Sequence, residues 1–136
     1  MKVAYRKELY IPFHLSDAAG ILFFGHIFSL AHEAYEFFVQ EALNISWDDW
    51  FNHSEWVIPI KQTQACYHHP ISVGSIYFFN VNVKKIGTTS FVLTYQLAQH
   101  DRLFCEIEMV HVFCSRHTKQ KVPLPIFIKE KLLSLI

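Results

Sequence analysis

At 136 residues, with 51% apolar side chains and only 4 glycines and 5 prolines, the chain is long enough to bury one core and too short for two ordinary domains. Twelve lysines and arginines against twelve aspartates and glutamates leave no formal net charge, which excludes a general nucleic-acid surface because phosphate binding needs a basic excess or stripe. No apolar run reaches membrane-spanning length, so membrane insertion is not expected.

Val3 to Pro12 reads as a first strand, ended by the proline and by the small-residue turn Ser16-Asp17-Ala18-Ala19-Gly20. From His26 to Leu43 the pattern is helical: Ile27, Leu30, Ala31, Ala34, Phe37, Phe38 and Ala42 recur at spacings of three and four, and Asn44 ends it. Trp47, Asp48, Asp49 and Trp50 read as a linker. Four strand-like segments follow, Glu55 to His69, Ser75 to Ile86, Thr89 to Ala98 and Leu103 to Ser115, joined through turns at Gly87-Thr88-Thr89 and His100-Asp101-Arg102. Within them Tyr77, Phe79, Val81 and Val83 alternate with polar residues, as do Phe91, Leu93, Tyr95 and Leu97. The tail from Pro123 to Ile136 ends in a short helix.

One long helix with an antiparallel meander is an α+β architecture in which the sheet wraps the helix, over a single domain of residues 1–136. Val110 to Cys114 is apolar on both faces and calls for a partner on each side, so oligomerisation is expected. Met1 to Tyr10 mixes Lys2, Arg6, Lys7 and Glu8 and has no apolar core of signal-peptide length. Cys66, Cys105 and Cys114 are odd in number and lack C-x-x-C spacing, which fits small buried residues in a cytoplasmic protein.

Asp17 sits just ahead of a helix N-terminus, where backbone N–H groups lack intrahelical partners. Such donors polarise a carbonyl oxygen while a carboxylate attacks it or activates water, a pairing that points to hydrolysis of an acyl compound. An isolated aspartate on a turn is otherwise a turn-former or cap. His68 and His69, with His53 and His111, raise the question of a metal, but adjacent strand residues face opposite ways and no metal is expected.

Asp17-Ala18-Ala19-Gly20-Ile21-Leu22-Phe23-Phe24, followed by the helix bearing His32-Glu33-Ala34-Tyr35-Glu36, resembles the hotdog-fold thioesterases of the 4-hydroxybenzoyl-CoA thioesterase superfamily. With Pro59-Ile60, His111-Val112 and Pro123-Leu124-Pro125, it is most similar to the 1,4-dihydroxy-2-naphthoyl-CoA hydrolases of quinone synthesis. The resemblance implies a hotdog fold, a long central helix wrapped by a curved antiparallel sheet. It also implies that Asp17 is the catalytic carboxylate, as nucleophile or general base, and that the backbone N–H of Phe24 or Gly25 polarises the thioester carbonyl. It implies further an acyl-CoA substrate, no cofactor, and an active site between subunits of a homo-oligomer, commonly a tetramer built as a dimer of dimers.

Gly20, Phe23, His26, His32 and Glu33 are the residues assigned to the substrate pocket on this reading. A helical glutamate serves as the acid in some hotdog enzymes, but for Glu33 a solvated helix face is the plainer expectation. For His26 and His32, surface or core positions are the commoner role. Relatives often carry tyrosine where Phe23 stands, so this pocket is the more apolar. Lys84 and Lys85, with Arg116 and Lys119, are either ordinary solvated cations or the partners of the coenzyme A phosphates. The same catalytic turn would serve a short-chain or fatty acyl-CoA or acyl-carrier-protein thioesterase, and a non-catalytic acyl-binding protein is the remaining alternative.

Overall fold

Residues 3–136 are described by a computed structural model; Met1 and Lys2 lie outside the described residues. The two-residue alternation read in the central segments produces three long strands, β4 (Ser75–Ile86), β5 (Ser90–Gln99) and β6 (Arg102–Val112), which follow β1 (Tyr5–Ile11), β2 (Trp56–Val57) and β3 (Ile60–Tyr67). Five of these form one antiparallel sheet in the order β1-β4-β5-β6-β3. Tyr77, Phe79, Val81, Phe91, Leu93, Tyr95, Leu97, Cys105, Ile107 and Met109 all point into the core, and Asn80, Asn82, Thr94, Gln96, Glu106 and Glu108 occupy the alternate positions. Irregularities between Ile60 and Gln62, Val83 and Lys85, and Leu97 and Ala98 break the register, and such bulges raise the local twist and bend the strands. His100 and Asp101, both at positive φ, close the β5–β6 hairpin tightly.

Against the inner face lies α1 (His26–Phe37), which continues as one wide helical turn over Phe38–Ala42. Its buried stripe is Ile27, Ala31, Ala34, Tyr35, Phe38 and Val39. Leu30, Phe37 and Ala42, expected in that stripe, are only half-buried. The wide turn accounts for part of the shift, because one extra residue per turn rotates the C-terminal end and carries Val39 and Leu43 inward in place of Ala42. Asn44 terminates the helix as expected, at φ 55°, with the Ile45 N–H reaching back to the Val39 carbonyl at 3.1 Å.

Three segments differ from the expected pattern. The supposed linker at Trp47 is a short helix, α2 (Trp47–Phe51), capped by Ser46, whose Oγ accepts from the Asp49 N–H at 3.1 Å. It buries Trp50, whose indole N–H donates to the Tyr35 hydroxyl. The Glu55–His69 and Leu103–Ser115 segments each divide, giving a two-residue ribbon of β2 with β7 (Cys114–Ser115) beside the main sheet. That ribbon answers the question of the doubly apolar stretch within the chain. Val112 and Phe113 are buried, the Val112 N–H donates to Pro59 and the Phe113 N–H to Thr89, and the Phe113 ring meets Trp50, Trp56 and Phe91. Helix α3 (Ile126–Leu133) closes the chain and buries Ile128 and Leu132.

Candidate active site

The segment between β1 and α1 folds into a small hairpin held almost wholly by main-chain bonds. Phe23 N–H donates to Leu15 at 3.0 Å and Asp17 N–H to Ile21 at 2.9 Å, while Gly20 N–H turns back to the Asp17 carbonyl at 3.0 Å. Gly20 makes the turn possible at φ 82°, a conformation costly for any residue with a Cβ. Leu22 N–H donates to Ile71 at 2.8 Å, and Ile21 bridges Ser72, which docks the hairpin on the segment entering β4. Asp17 therefore stands at the hairpin tip, half-buried, with one carboxylate oxygen accepting from the Ala19 N–H at 2.8 Å. The other oxygen makes no hydrogen bond among the described residues.

The helix entry adjoins this tip. Gly25 is the N-cap of α1, and no side chain caps the first turn. His26 N–H donates to Phe23 at 3.0 Å and Ile27 N–H to Phe24 at 3.4 Å, but among the described residues the Phe24 and Gly25 amides themselves donate to no backbone carbonyl. Two donors at the positive end of a helix are thus available to a developing negative charge. The Phe23 ring lies over Gly25 so closely that a Cβ there would come within 2.9 Å of its Cε2. The same ring packs on Phe24 at 4.8 Å and edge-on to His26 at 5.5 Å.

Beside the entry is a cleft of about 350 Å³ lined by Ile21, Leu22, Phe24, Tyr67, His68, His69, Pro70 and Ile71. The Tyr67 hydroxyl donates to the Phe24 carbonyl, and burial pushes its pKa up to about 12, so it stays a donor. His69 Nδ1 lies 3.0 Å from the Arg102 guanidinium, and His68 Nε2 lies 2.9 Å from Glu106. Two hydrogen bonds, from His68 and from Gln96, hold the Glu106 carboxyl below its ordinary range.

Asp17, Gly20, Phe23, Phe24, Gly25 and His26 accordingly share one locality. His32 and Glu33 do not join it. His32 turns toward α2, edge-on to Tyr35 at 5.3 Å and 6.4 Å from Phe51. Glu33 is exposed and lines a separate cleft of about 280 Å³ with Lys7, Leu30 and Phe37 on the β1 flank. Lys84 is bonded to Glu108 at 2.8 Å, the Arg116 Nε donates to the His53 carbonyl, and the Lys119 ammonium donates to the Arg116 carbonyl. Lys85 is exposed. Asp17 is anchored where β4 begins and Lys84 and Lys85 lie near its far end, so a rise of about 3.3 Å per residue separates them by roughly 30 Å.

Tyr67 and the His68-His69-Pro70 wall were not assigned to the pocket from sequence. The available signal was an aromatic hydroxyl at the end of an exposed strand, next to a paired histidine that drew attention only as a metal ligand.

A sequence profile of the thioesterase-like superfamily matches residues 3–132. The chain belongs to that superfamily. The chemistry its site has to support is therefore hydrolysis of a thioester. A 1,4-dihydroxy-2-naphthoyl-CoA hydrolase of Microcystis aeruginosa is 30% identical over 126 residues, covering 92% of this chain and 88% of its own. One from Rippkaea orientalis is 32% identical over 112 residues, 80% of each chain. Among solved structures, a 1,4-dihydroxy-2-naphthoyl-CoA thioesterase from Synechocystis superposes with a TM-score of 0.86 at 20% identity over 96% of each chain. A gentisyl-coenzyme A thioesterase superposes with 0.84 at 18% identity, over 94% of this chain and 98% of its own. At those identities the structural likeness speaks for the fold, and the fold is the hotdog fold expected from the sequence.

Proposed function

We propose that the chain hydrolyses an aromatic acyl-CoA, 1,4-dihydroxy-2-naphthoyl-CoA foremost, with Asp17 as the catalytic carboxylate and the Phe24 and Gly25 amides as oxyanion donors. The observation that carries this reading is the clamp itself: a half-buried carboxylate at a hairpin tip, tied by main-chain bonds to a helix entry with two unengaged amides. Asp17 draws a proton from the attacking water, or attacks the thioester carbonyl itself to give a mixed anhydride that water then cleaves to release the acid and the free carboxylate. In either case the amides take up the charge on oxygen and the carbon–sulfur bond breaks with loss of the thiolate. The thiol leaves readily because its pKa is far below that of an alcohol, so no strong general acid is needed. The names of the similar proteins, and the aromatic rings of Phe23, Phe24 and Tyr67 at the entry, favour a flat aryl acyl group.

On this reading residues 1–136 act as one catalytic domain of quinone synthesis in the cytoplasm, where three free cysteines fit a reducing compartment. The working form is a homo-oligomer, a dimer of dimers. Strand β3 is an edge with nearly every residue exposed, and Phe13, Phe23 and Phe24 are exposed aromatic residues of the segment that carries Asp17. Lys84 and Lys85 stand roughly 30 Å from Asp17 in one protomer, too far to hold the phosphates of the same substrate, so they serve it across subunits, and Arg116 and Lys119 are the other cations offered to those phosphates.

A panel of aryl, short-chain and long-chain thioesters, on coenzyme A and on acyl carrier protein, tests the substrate class by thiol release. The aryl coenzyme A esters are expected to lead. Asp17→Asn should lower kcat by roughly 10²–10⁴-fold while substrate still binds. Full activity in that variant removes Asp17 from the mechanism, and preference for aliphatic chains removes the aryl assignment.

A further inference from the structure

The peptide between Phe24 and Gly25 carries two groups that matter together. Its carbonyl accepts from the Tyr67 hydroxyl, and its N–H is the Gly25 amide, one of the two proposed oxyanion donors. A trans peptide is planar, with C=O and N–H pointing in opposite directions, so whatever fixes the oxygen fixes the direction of the N–H. A hydrogen bond on the oxygen also polarises the amide and makes its N–H a stronger donor. Little else holds this oxygen: the helical bond it receives from Ile27 is long, at 3.4 Å.

Tyr67 is well placed for such a task. It ends β3, 43 residues from Phe24, and its backbone is set by pairing with Cys105 of β6. Its side chain is 39% exposed, so water could satisfy the hydroxyl and core burial does not compel the contact. Tyr67 and Phe24 both line the cleft beside the helix entry.

We propose that Tyr67 is a positioning residue of the oxyanion hole, holding the Phe24–Gly25 peptide so that the Gly25 N–H faces the thioester carbonyl. The inference rests on the assignment of the Gly25 amide made above. Tyr67 exchanges no proton with the substrate; its O–H stays on the Phe24 carbonyl throughout.

Because the aimed amide matters most when the oxyanion forms, loss of the hydroxyl acts on kcat and not on ground-state binding. Tyr67→Phe should lower kcat on an aryl-CoA by roughly tenfold, the scale of one hydrogen bond, with KM within twofold of wild type and the melting temperature and oligomer size unchanged. A trifluoromethyl ketone analogue of the thioester, which binds as a tetrahedral oxyanion, should lose affinity by the same factor, while the free aryl acid should not. If kcat and analogue affinity both survive in Tyr67→Phe while Asp17→Asn is inactive, Tyr67 has no such role and the Asp17 reading stands. A fall in activity matched by a rise in KM or an early melt overturns it equally, as a structural effect. Wild-type protein that releases no thiol from any thioester overturns both readings.

Discussion

Replacing His111 with phenylalanine tests a buried imidazole that titrates far from its ordinary range. The ring is fully buried, stacked 4.8 Å from Phe91 at 12° and 4.3 Å from Tyr35, and neither nitrogen has a hydrogen-bond partner among the described residues. Burial, and secondarily the charge on neighbouring His32, lowers its pKa from 6.5 to about 3. Above pH 6.5 the residue is neutral whether the chain is folded or not, and stability does not depend on it. Below that, the unfolded chain takes up a proton that the folded chain refuses, so stability falls with pH by about 1.4 kcal/mol per unit until the folded pKa is reached. At pH 5 the loss is about 2 kcal/mol, and over the whole window it is about 5 kcal/mol, a large share of a domain's net stability. Urea unfolding of wild type and His111→Phe at pH 7.5 and pH 5.0, at one protein concentration, measures this as a difference of differences. The larger phenyl ring costs about 1–3 kcal/mol if it overpacks the site, but that term is common to both pH values and cancels. The variant should lose about 2 kcal/mol less than wild type on acidification. An equal loss in both proteins would show that His111 is not the group that titrates on unfolding.

Gly25→Ala should separate activity from stability. The added methyl meets only the Phe23 ring, so the fold tolerates it within about 1 kcal/mol, while the displaced ring disturbs the pocket wall and kcat/KM falls several-fold; an unaltered kcat/KM would mean that Phe23 does not touch the substrate. Sedimentation equilibrium at micromolar concentration should give a mass at least twice that of one chain, and a purely monomeric, fully active protein would end the argument from the β3 edge and the distant cations.

Much of the fold was legible because its periods are long and regular. Ten and twelve residues of alternation in β5 and β4 leave one choice of inward face, and that face is the one buried. Helix α2 was missed because five residues carry no recognisable period, although Ser46 with Asp49 three positions later is a capping pattern visible in the sequence. His111 was legible in principle: it sits two residues from both Met109 and Phe113, so the alternation that buries them buries it too. Considering it as a metal ligand obscured that. Tyr67 was not legible at all, since its partner is a main-chain carbonyl 43 residues away and no local pattern encodes that meeting.

The construction of the site separates what must be kept from what can vary. Asp17 and the helix entry are held through the amides and carbonyls of Leu15, Asp17, Gly20, Ile21, Leu22, Phe23 and Ile71, groups that every residue type except proline supplies in full. Apart from the carboxylate, a glycine at positive φ and a glycine under the Phe23 ring, the chemistry makes few demands on side-chain identity. On the proposed function the cleft wall is the reverse case, since Phe23, Phe24, Tyr67, His68 and His69 present side chains whose shape and polarity would set which acyl group fits. If the proposed site is right, a chain that shares only about a third of its residues with similar proteins could keep such a turn, with acyl specificity set at a handful of positions. Phe23 is the position at which that difference should be sought first. Restoring a hydroxyl there adds a hydrogen-bonding group beside Gly25 without altering a single main-chain bond that holds Asp17.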